Sequence, residues 1–505
     1  VTTSTFDTTQ HPRGADGRWV TTGAGESDAD LSTHPVILGL VDIPEPVDAA
    51  LDTLRAAGMR PVLVGGSVRD ALLDPDLKPK DLDFELYGAR SPAEVARLLG
   101  PHGRIDEVGV SFGVIKLTVP DGDGTHDIDL TLPRTDSKVG EGHRGFAVTT
   151  DPDLSFEEAS ARRDFTINAI MWDPDTGELI DPHGGADDLQ AGTLRHVSDA
   201  FDDDPLRVLR GVQFAARFDM EMAAETIQRC RTLAPTYDQL AAERVWGELD
   251  KVFTRGVRPS RALEALEQTG WLKHFPELDA TRSTPQDPVW HPEGDVYTHL
   301  GLSADEAASR ADADGLSPDR RAVVVAATLL HDVGKVTHTQ HQPDGRITSH
   351  GHAEAGEQPT HELLTRLGAP KTLTTSVTAL VREHMNHQGV GKDARPSIGA
   401  VRRLQRRLDA SGTNLSEWSI VVAADAAGRG PGAKSDPSQV WLEVAAEHQV
   451  TQRPAPRLLT GRHLIGTGMK PGPGFKSVLA DAELAQDNGE FDDEAGALAW
   501  FAARG

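Results

Sequence analysis

Apolar residues recur at helical spacing over Val47–Ala57 and stop at Gly58, which predicts one helix. A short apolar run, Pro61–Val64, ends in Gly65-Gly66, and a helical pattern resumes from Ser67. This reads as strand, glycine turn and helix. Asp81–Tyr87 alternates acidic and apolar residues and predicts a second strand. Ser91–Leu99 predicts a helix, and Val114–Val119 and Thr125–Leu132 predict two strands joined by a Gly/Asp turn. From about Asp187 the period is helical almost throughout. The predicted helices are Pro205–Phe218, Ala223–Leu233, Tyr237–Phe253 and Pro259–Gly270, then, after a Pro-rich patch at Thr284–Pro292, Thr298–Arg310, Ser317–Leu330, Glu354–Leu367 and Leu373–His384. The expected fold class is α+β, a small mixed α/β head followed by a long all-α body. Five stretches are expected: a disordered tail over 1–34, the head over 35–185, a helical neck over 186–275, a helical domain over 276–440 and a C-terminal helical segment over 441–505.

Composition narrows the class. The 505 residues are 38% hydrophobic and 26% charged, enough apolar chain for a sizeable core. The longest apolar run, Ala322–Leu330, is far shorter than the roughly 18 residues a membrane span needs. The polar N-terminus lacks the apolar segment of a secretory signal. The single cysteine, Cys230, excludes an internal disulfide and any multi-cysteine metal site. A soluble, cytoplasmic, multidomain protein is expected. The net charge of −27 argues against a non-specific nucleic-acid binder but permits a local basic groove.

Candidate chemistry begins in the head. Asp81 and Asp83 stand two apart on a predicted strand, so both carboxylates share one face while Leu82, Phe84 and Leu86 face a core. Adjacent like charges call for a cation, and hard divalent ions such as Mg²⁺ take oxygen ligands and share them with substrate phosphates. Asp129, on a later strand, can complete a two-metal site. The Gly65-Gly66 turn opens a helix whose backbone N–H groups suit a phosphate, and Arg69 lies one turn along that helix.

These residues belong to a longer pattern. Val64–Tyr87 (VGGSVRDALLDPDLKPKDLDFELY) resembles the signature of the tRNA nucleotidyltransferase and bacterial poly(A) polymerase family. The likeness continues through PRTDSKVGEGHRG at 133–145, RRDFTINAI at 162–170, IDPHGG at 180–185, DDPLRVLRGVQFAARF at 203–218 and ERVWGEL at 243–249. The resemblance implies that Asp81 and Asp83 bind catalytic Mg²⁺, and that Gly66, Arg69 and Arg163 contact the nucleotide. Asp164 either orders the site or serves as partner to a buried arginine. Asp204, Arg207 and Arg210 recur every three residues on one predicted helix and so share a face. An Asp that accepts and an Arg that donates can match the edges of both cytosine and adenine. The resemblance assigns base selection to Asp204 and Arg207, with Arg210 beside them. Asp203 stands where the family usually has Glu.

The body carries a second constellation. His331-Asp332 ends the most apolar helix, and a charged pair there is costly to bury without a metal. His299, His352, His384 and Asp425 can converge on it, all of them ligand types suited to divalent metals. The ordered set, with HDVGK at 331–335, resembles the HD phosphohydrolase superfamily, with Ni²⁺, Co²⁺, Mn²⁺ or Mg²⁺ as candidate ions. His338, His341, His350 and His387 are expected on the surface. Long members of the nucleotidyltransferase family carry such a domain, with phosphatase or phosphodiesterase activity on 2′,3′-cyclic and 2′-phosphate substrates. HPEGDVYTH at 291–299 resembles its opening, and Leu459–Phe475 resembles a recurring terminal segment, either structural or touching tRNA.

The resemblance therefore implies a nucleotidyltransferase head, a nucleotide- and RNA-binding neck, an HD phosphohydrolase-like domain and an RNA-binding-like C-terminal segment. The expected activity is template-independent addition or repair of the 3′-terminal CCA of tRNA from CTP and ATP, with a second phosphohydrolase activity and no membrane partner. The alternatives are a poly(A) polymerase, an enzyme adding only CC or only A, and an HD phosphohydrolase whose head merely docks RNA.

Overall fold

The computed structural model describes residues 36–76, 81–109, 114–138, 146–389, 395–430, 436–450 and 456–504. The expected tail over 1–34 and the 139–145 part of the PRTDSKVGEGHRG motif lie outside the described residues. The chain divides into two compact units, Val1–Gly211 with Met220–Leu240, and Val212–Asp219 with Ala241–Gly505.

In the first unit, helices α1 (Glu45–Ala56), α2 (Gly66–Leu73), α3 (Pro92–Leu99), α4 (Phe156–Ser160) and α5 (Gly185–Gln190) accompany strands β1 (Arg60–Val64), β2 (Leu82–Tyr87), β3 (Arg104–Gly109), β4 (Val114–Asp121), β5 (Gly124–Thr131), β6 (Arg134–Lys138), β7 (Phe146–Thr150), β8 (Met171–Trp172) and β9 (Leu179–Ile180). Seven strands form one mixed sheet in the order β3-β4-β5-β2-β1-β8-β9, and β6 and β7 pair separately. The alternation in β2 drives Leu82, Phe84 and Leu86 into the core. Its partner β5 runs parallel to it, with Asp83 opposite Asp129. Ser91 caps α3 by accepting from Glu94 N, and Ser155 and Glu158 form a full capping box on α4. Strands β3, β6, β7, β8 and β9 were not expected from sequence. The last two are only two residues long, too short to show a period, and β3 (RIDEVG) holds two acids and an arginine among its six positions. Helices α6 (Leu206–Phe218) and α7 (Ala224–Leu233) follow, and Thr193–Leu194 pairs in parallel with Glu221–Met222.

The second unit is helical: α8 (Ala242–Arg255), α9 (Pro259–Gln268), α10 (Pro276–Asp279), α11 (Val296–Ala313), α12 (Pro318–Leu330), α13 (Lys335–His338), α14 (His352–Ala355), α15 (Glu357–Arg366), α16 (Lys371–Glu383), α17 (Ile398–Ala410), α18 (Leu415–Ala427), α19 (Gln439–Glu447), α20 (Gly461–Gly466), α21 (Pro473–Asp487) and α22 (Glu494–Ala502). Helix α12 is its centre. It is buried from Arg321 to Leu330 because α8, α11, α16 and α18 all pack on it, which explains why its sequence is apolar all round. Arg321 inside that helix is satisfied by Asp312 and by the carbonyls of Phe253 and Gly256. Two expected helices are corrected. Tyr237–Phe253 begins as a 3₁₀ turn (Ala234–Gln239) and turns extended at Leu240, so α8 starts five residues later than Tyr237. Glu354–Leu367 is broken at Gly356 into α14 and α15. The C-terminal segment builds its own small core from Leu459, Leu464, Ala482, Ala485, Phe491 and Ala497. Leu459 and Leu464 of the LTGRHLIG stretch are therefore structural. Among the described residues, no helix is long and apolar enough to cross a membrane.

Candidate active sites

The first site forms where β1 and β2 approach the start of α2. Gly65 has φ +78°, a conformation that favours glycine, and it turns the chain into α2. A Cβ on Gly65 would stand 3.3 Å from Arg163 Nη1, and one on Gly66 would stand 3.4 Å from Arg69 Nη2. Both guanidinium groups thus lie over the glycine turn. Arg69 is held by Asp70 at 2.6 Å and by the Asn168 side chain. Ser67 Oγ donates to the carbonyl of Asp81 at 2.7 Å, which ties the first turn of α2 to the start of β2. The structure brings Asp81, Asp83 and Asp129 to one end of the sheet, with Asp81 just before β2 and Asp83 facing Asp129. Burial, then the neighbouring Asp129, pushes the Asp83 carboxyl above the ordinary range, and Asp81 adds to this. Lys116 Nζ, 3.2 Å from Asp129 Oδ1, offsets part of the charge. Three carboxylates with one lysine among them, beside a cradle of backbone N–H groups, fit a hard divalent cation.

The 162–168 segment joins this end to α6. Asp164 accepts from Arg210 Nε at 2.7 Å, from Asn168 Nδ2 at 2.9 Å and from the Phe165 N–H. Burial alone would raise its pKa, yet Arg210 and those donors hold it below the ordinary range. Arg210 is therefore bound to Asp164. Arg207 donates to the carbonyls of Ala200 and Arg162 at 2.8 and 2.7 Å. Asp204 differs from expectation: it precedes α6 and accepts from the Leu206 N–H at 3.1 Å, so it sits at the helix mouth and not on its face.

The second site lies at the C-terminal end of α12. His299 on α11, His331 and Asp332 after α12, His352 on α14, His384 after α16 and Asp425 on α18 all converge there, and all are buried. Three imidazoles are oriented in the same way. Nδ1 of His331, His352 and His384 meets the carbonyls of Thr328, Ser349 and Val381 at 2.7, 2.6 and 2.6 Å. A carbonyl there requires Nδ1 to carry a proton, which leaves Nε2 as the atom of each ring able to coordinate an ion. Those Nε2 atoms face one another. His352 Nε2 and His384 Nε2 are 3.2 Å apart, and His352 Nε2 is 3.0 Å from Asp332 Oδ1. His299 Nε2 is 3.1 Å from Asp425 Oδ1 and 3.7 Å from Asp332 Oδ2, which is 3.3 Å from His331 Nε2. His331 Nε2 and Asp332 Oδ1 have no hydrogen-bond partner although both are buried. Imidazole and carboxylate atoms converging at 3.0–3.8 Å, the spacing of ligands about 2.1 Å from a shared ion, fit divalent metal. Asp332 divides its oxygens between two groups, His299/His331 and His352/His384.

Burial opposes charge on His331, but Asp332 and Asp425 hold its pKa up at about 10. His384 is pushed down to about 3 by burial and by the neighbouring His331 and His352. Asp332 and Asp425 stay well below the carboxylate range despite burial, Asp332 through His331 and Lys335, Asp425 through His299 and His331. A cleft of about 580 Å³ opens on the cluster, with Trp290, Lys335, Arg346 and Arg429 among its walls. Gly334 makes the cluster possible: a Cβ there would stand 2.0 Å from the His352 carbonyl, so only glycine lets the turn after Asp332 lie against α14. One reading of this region is corrected: His387 is half-buried and donates toward the His384 carbonyl instead of lying on the surface. The Pro-rich patch supplies Gln286, Asp287 and Trp290 to the cleft, and His350, exposed as expected, lines its rim. Sequence reasoning also missed Glu293, whose Oε1 lies 2.7 Å from His299 Nδ1 and 2.9 Å from His291 Nδ1. The available signal was an acid between two histidines in HPEGDVYTH.

Comparison with known proteins identifies three matching regions along the chain. Residues 62–195 match the poly A polymerase head domain, 219–281 the probable RNA and SrmB-binding site of polymerase A, and 296–412 the HD domain. The multifunctional CCA protein of Xanthomonas oryzae pv. oryzae (strain MAFF 311018) is 35% identical over 435 residues, covering 85% of this chain and 98% of that protein. The chain belongs to the multifunctional CCA protein family. A second member of that family, from Neisseria gonorrhoeae (strain NCCP11945), is 39% identical over 338 residues, covering 66% of this chain and 76% of that protein. Among solved structures, a Bacillus stearothermophilus CCA-adding enzyme in complex with CTP has a TM-score of 0.61 at 20% identity, covering 92% of this chain and 98% of that one. A Thermotoga maritima CCA-adding enzyme complexed with tRNA has a TM-score of 0.55 at 19% identity, covering 92% and 96%. At such identity these two share the fold, an α+β head followed by a helical body.

Proposed function

We infer that the chain is a template-independent tRNA nucleotidyltransferase that adds or repairs the 3′-terminal CCA from CTP and ATP, with a second, metal-dependent phosphohydrolase activity at the histidine–aspartate cluster. The observation that carries the first activity is the meeting of Asp83 and Asp129, with Asp81 tethered to α2, beside a glycine turn covered by Arg69 and Arg163. In this reading the N–H groups of α2 with Arg69 and Arg163 hold the triphosphate in line with the RNA 3′-hydroxyl. Asp81, Asp83 and Asp129 hold Mg²⁺, which when bound activates that hydroxyl and neutralises charge on the leaving pyrophosphate. Arg207 spends one donor on each of two main-chain carbonyls, keeping other N–H groups for a base edge, and Asp204 stands at the same helix mouth to accept from it. Arg210 acts through Asp164 to hold the 162–168 segment in place.

At the second site, His299, His331, Asp332 and Asp425 hold one divalent ion, and His352 and His384 with Asp332 a second, with Ni²⁺, Co²⁺, Mn²⁺ or Mg²⁺ the candidates. Such ions, when bound, supply a nucleophilic water at neutral pH. Lys335, 2.6 Å from Asp332 Oδ2, and Arg429, 3.2 Å from Asp425 Oδ1, are placed to meet a phosphate entering the cleft.

The test incubates the protein with tRNAs ending in the discriminator base, in C and in CC, supplying each labelled nucleotide in turn. CMP on the first two and AMP on the third supports the reading. AMP runs on all three would make the chain a poly(A) polymerase, and no incorporation would leave only the phosphohydrolase.

A further inference from the structure

Glu85 lies on β2 two positions beyond Asp83, on the same face of the strand, yet it is 0% exposed. A carboxylate buried this completely persists only beside counter-charges. It has two, the adjacent arginines of the 162–164 segment. Arg162 Nη2 donates to Oε1 at 3.1 Å, and Arg163 Nη2 lies 3.7 Å from Oε2. Among the described residues Glu85 is the only carboxylate paired with either guanidinium. The two arginines lead to different parts of the site. Arg163 extends Nη1 over Gly65, where the triphosphate is expected, and is steadied there by the Asn168 carbonyl at 3.3 Å. Arg162 offers its own carbonyl to Arg207 Nη2 at 2.7 Å. One buried carboxylate on the catalytic strand is thus connected to the phosphate cradle through one side chain and to the proposed base-reading arginine through the neighbouring main chain.

We propose that Glu85 is a positioning residue for nucleotide addition: it aims Arg163 at the triphosphate and fixes the 162 carbonyl that orients Arg207, so it contributes both to nucleotide affinity and to base choice. The inference rests on the nucleotidyl-transfer reading and adds a residue to it. Glu85→Gln keeps the side-chain volume and removes the charge. In steady-state assays on tRNA ending in the discriminator base and in CC, KM for CTP and ATP should rise at least about tenfold. Discrimination against UTP and GTP should fall by a similar factor of about ten, with kcat for the correct nucleotide falling less. Arg163→Ala should raise KM without relaxing base choice. The Glu85→Gln/Arg163→Ala double variant should have nearly the KM of Arg163→Ala alone, because both substitutions break one connection.

A merely structural acid would lower kcat and thermal stability together while leaving KM and discrimination at wild-type values, and that result overturns the proposal. So do KM effects that multiply in the double variant. If Glu85→Gln does not fold, Glu85→Asp, which withdraws the carboxylate by one methylene, should shift KM and discrimination in the same direction, and unchanged values there overturn the proposal equally. A wild-type chain that adds neither C nor A would instead sink the nucleotidyl-transfer reading, an outcome visible without any Glu85 variant.

Discussion

Replacing Asp83 by Asn should make the metal-free protein more stable while ending nucleotide addition. Asp83 faces Asp129 across a parallel strand pair, and burial with that neighbour raises its pKa even though Arg163 and Lys116 pull the other way. Like charges directly opposite on a sheet are destabilising, here by about 1 kcal/mol at the upper end of cross-strand pair energies. For a unit of this size about 1 kcal/mol corresponds to about 2–4 °C in Tm. The native carboxyl binds its proton more tightly than the unfolded one, so stability is lost as pH rises from the ordinary aspartate value of 3.8 through the folded pKa. The gain from Asp83→Asn is then present at neutral pH and vanishes below that window, where the wild-type carboxyl is protonated in both states. Mg²⁺ reverses the order: at tenfold excess over its Kd it stabilises the native wild type by about 1.4 kcal/mol. Differential scanning calorimetry of the full chain in EDTA and in Mg²⁺, beside a CMP-incorporation assay, measures all of this. An Asp83→Asn protein that melts lower than wild type in EDTA, or that still incorporates CMP at the wild-type rate in Mg²⁺, refutes the reading of this end of the sheet as a charge-strained cation site.

Other substitutions separate the two activities. Asp332→Asn removes the carboxylate shared by the two histidine groups and should cut divalent metal, counted by elemental analysis, to below one ion per chain, abolishing 2′,3′-cyclic nucleotide hydrolysis while CMP and AMP addition persists. Gly334→Ala forces a Cβ to 2.0 Å from the His352 carbonyl and should cost about 1–3 kcal/mol or more, with loss of phosphohydrolase activity exceeding the loss of nucleotide addition in parallel assays. Arg210→Ala strands the buried Asp164 carboxylate and should cost about 2–3 kcal/mol by denaturant unfolding, discounted from a fully buried pair because Arg210 is one-third exposed. Asp164 has a depressed pKa, so its share of stability holds above the unfolded aspartate value and is lost as pH falls through the folded one; the deficit of Arg210→Ala should therefore shrink on acidification.

Long amphipathic or wholly apolar elements were legible because burial imposes a period over many residues. Helix α12 announced itself by its apolar run, and β2 by alternation that the structure reproduces in the burial of Leu82, Phe84 and Leu86. Two-residue strands such as β8 and β9 carry no period, and they exist because β1 offers an edge to pair with. The break at Gly356 was hidden for a related reason. Its flanks both read as helix, but α14 is held where it is by the close approach of Gly334 to the His352 carbonyl, a long-range constraint with no local signature.

The site residues show the same boundary between what a local pattern can carry and what it cannot. Asp81 and Asp83 could be placed on one face from spacing alone, and six metal-ligand candidates scattered from His299 to Asp425 could be grouped only through their resemblance to an ordered family pattern. Spacing nevertheless misled at α6, where period three put Asp204 on a helix face although the chain becomes helical only at Leu206. What sequence could not reveal was how each reactive side chain is held. Arg163 depends on Glu85, Arg210 on Asp164, and His299 on Glu293; Arg163 and Glu85 lie 78 positions apart. Glu85 was the most accessible of these. An acid that continues the Asp81–Asp83 alternation ought to be solvated, so a buried one implies arginine partners from elsewhere in the chain. The general consequence is that a strand bearing catalytic carboxylates should be read to its end: the next acid on the same face is a candidate for holding the cations that surround the substrate, and its burial decides between that role and a solvated surface charge.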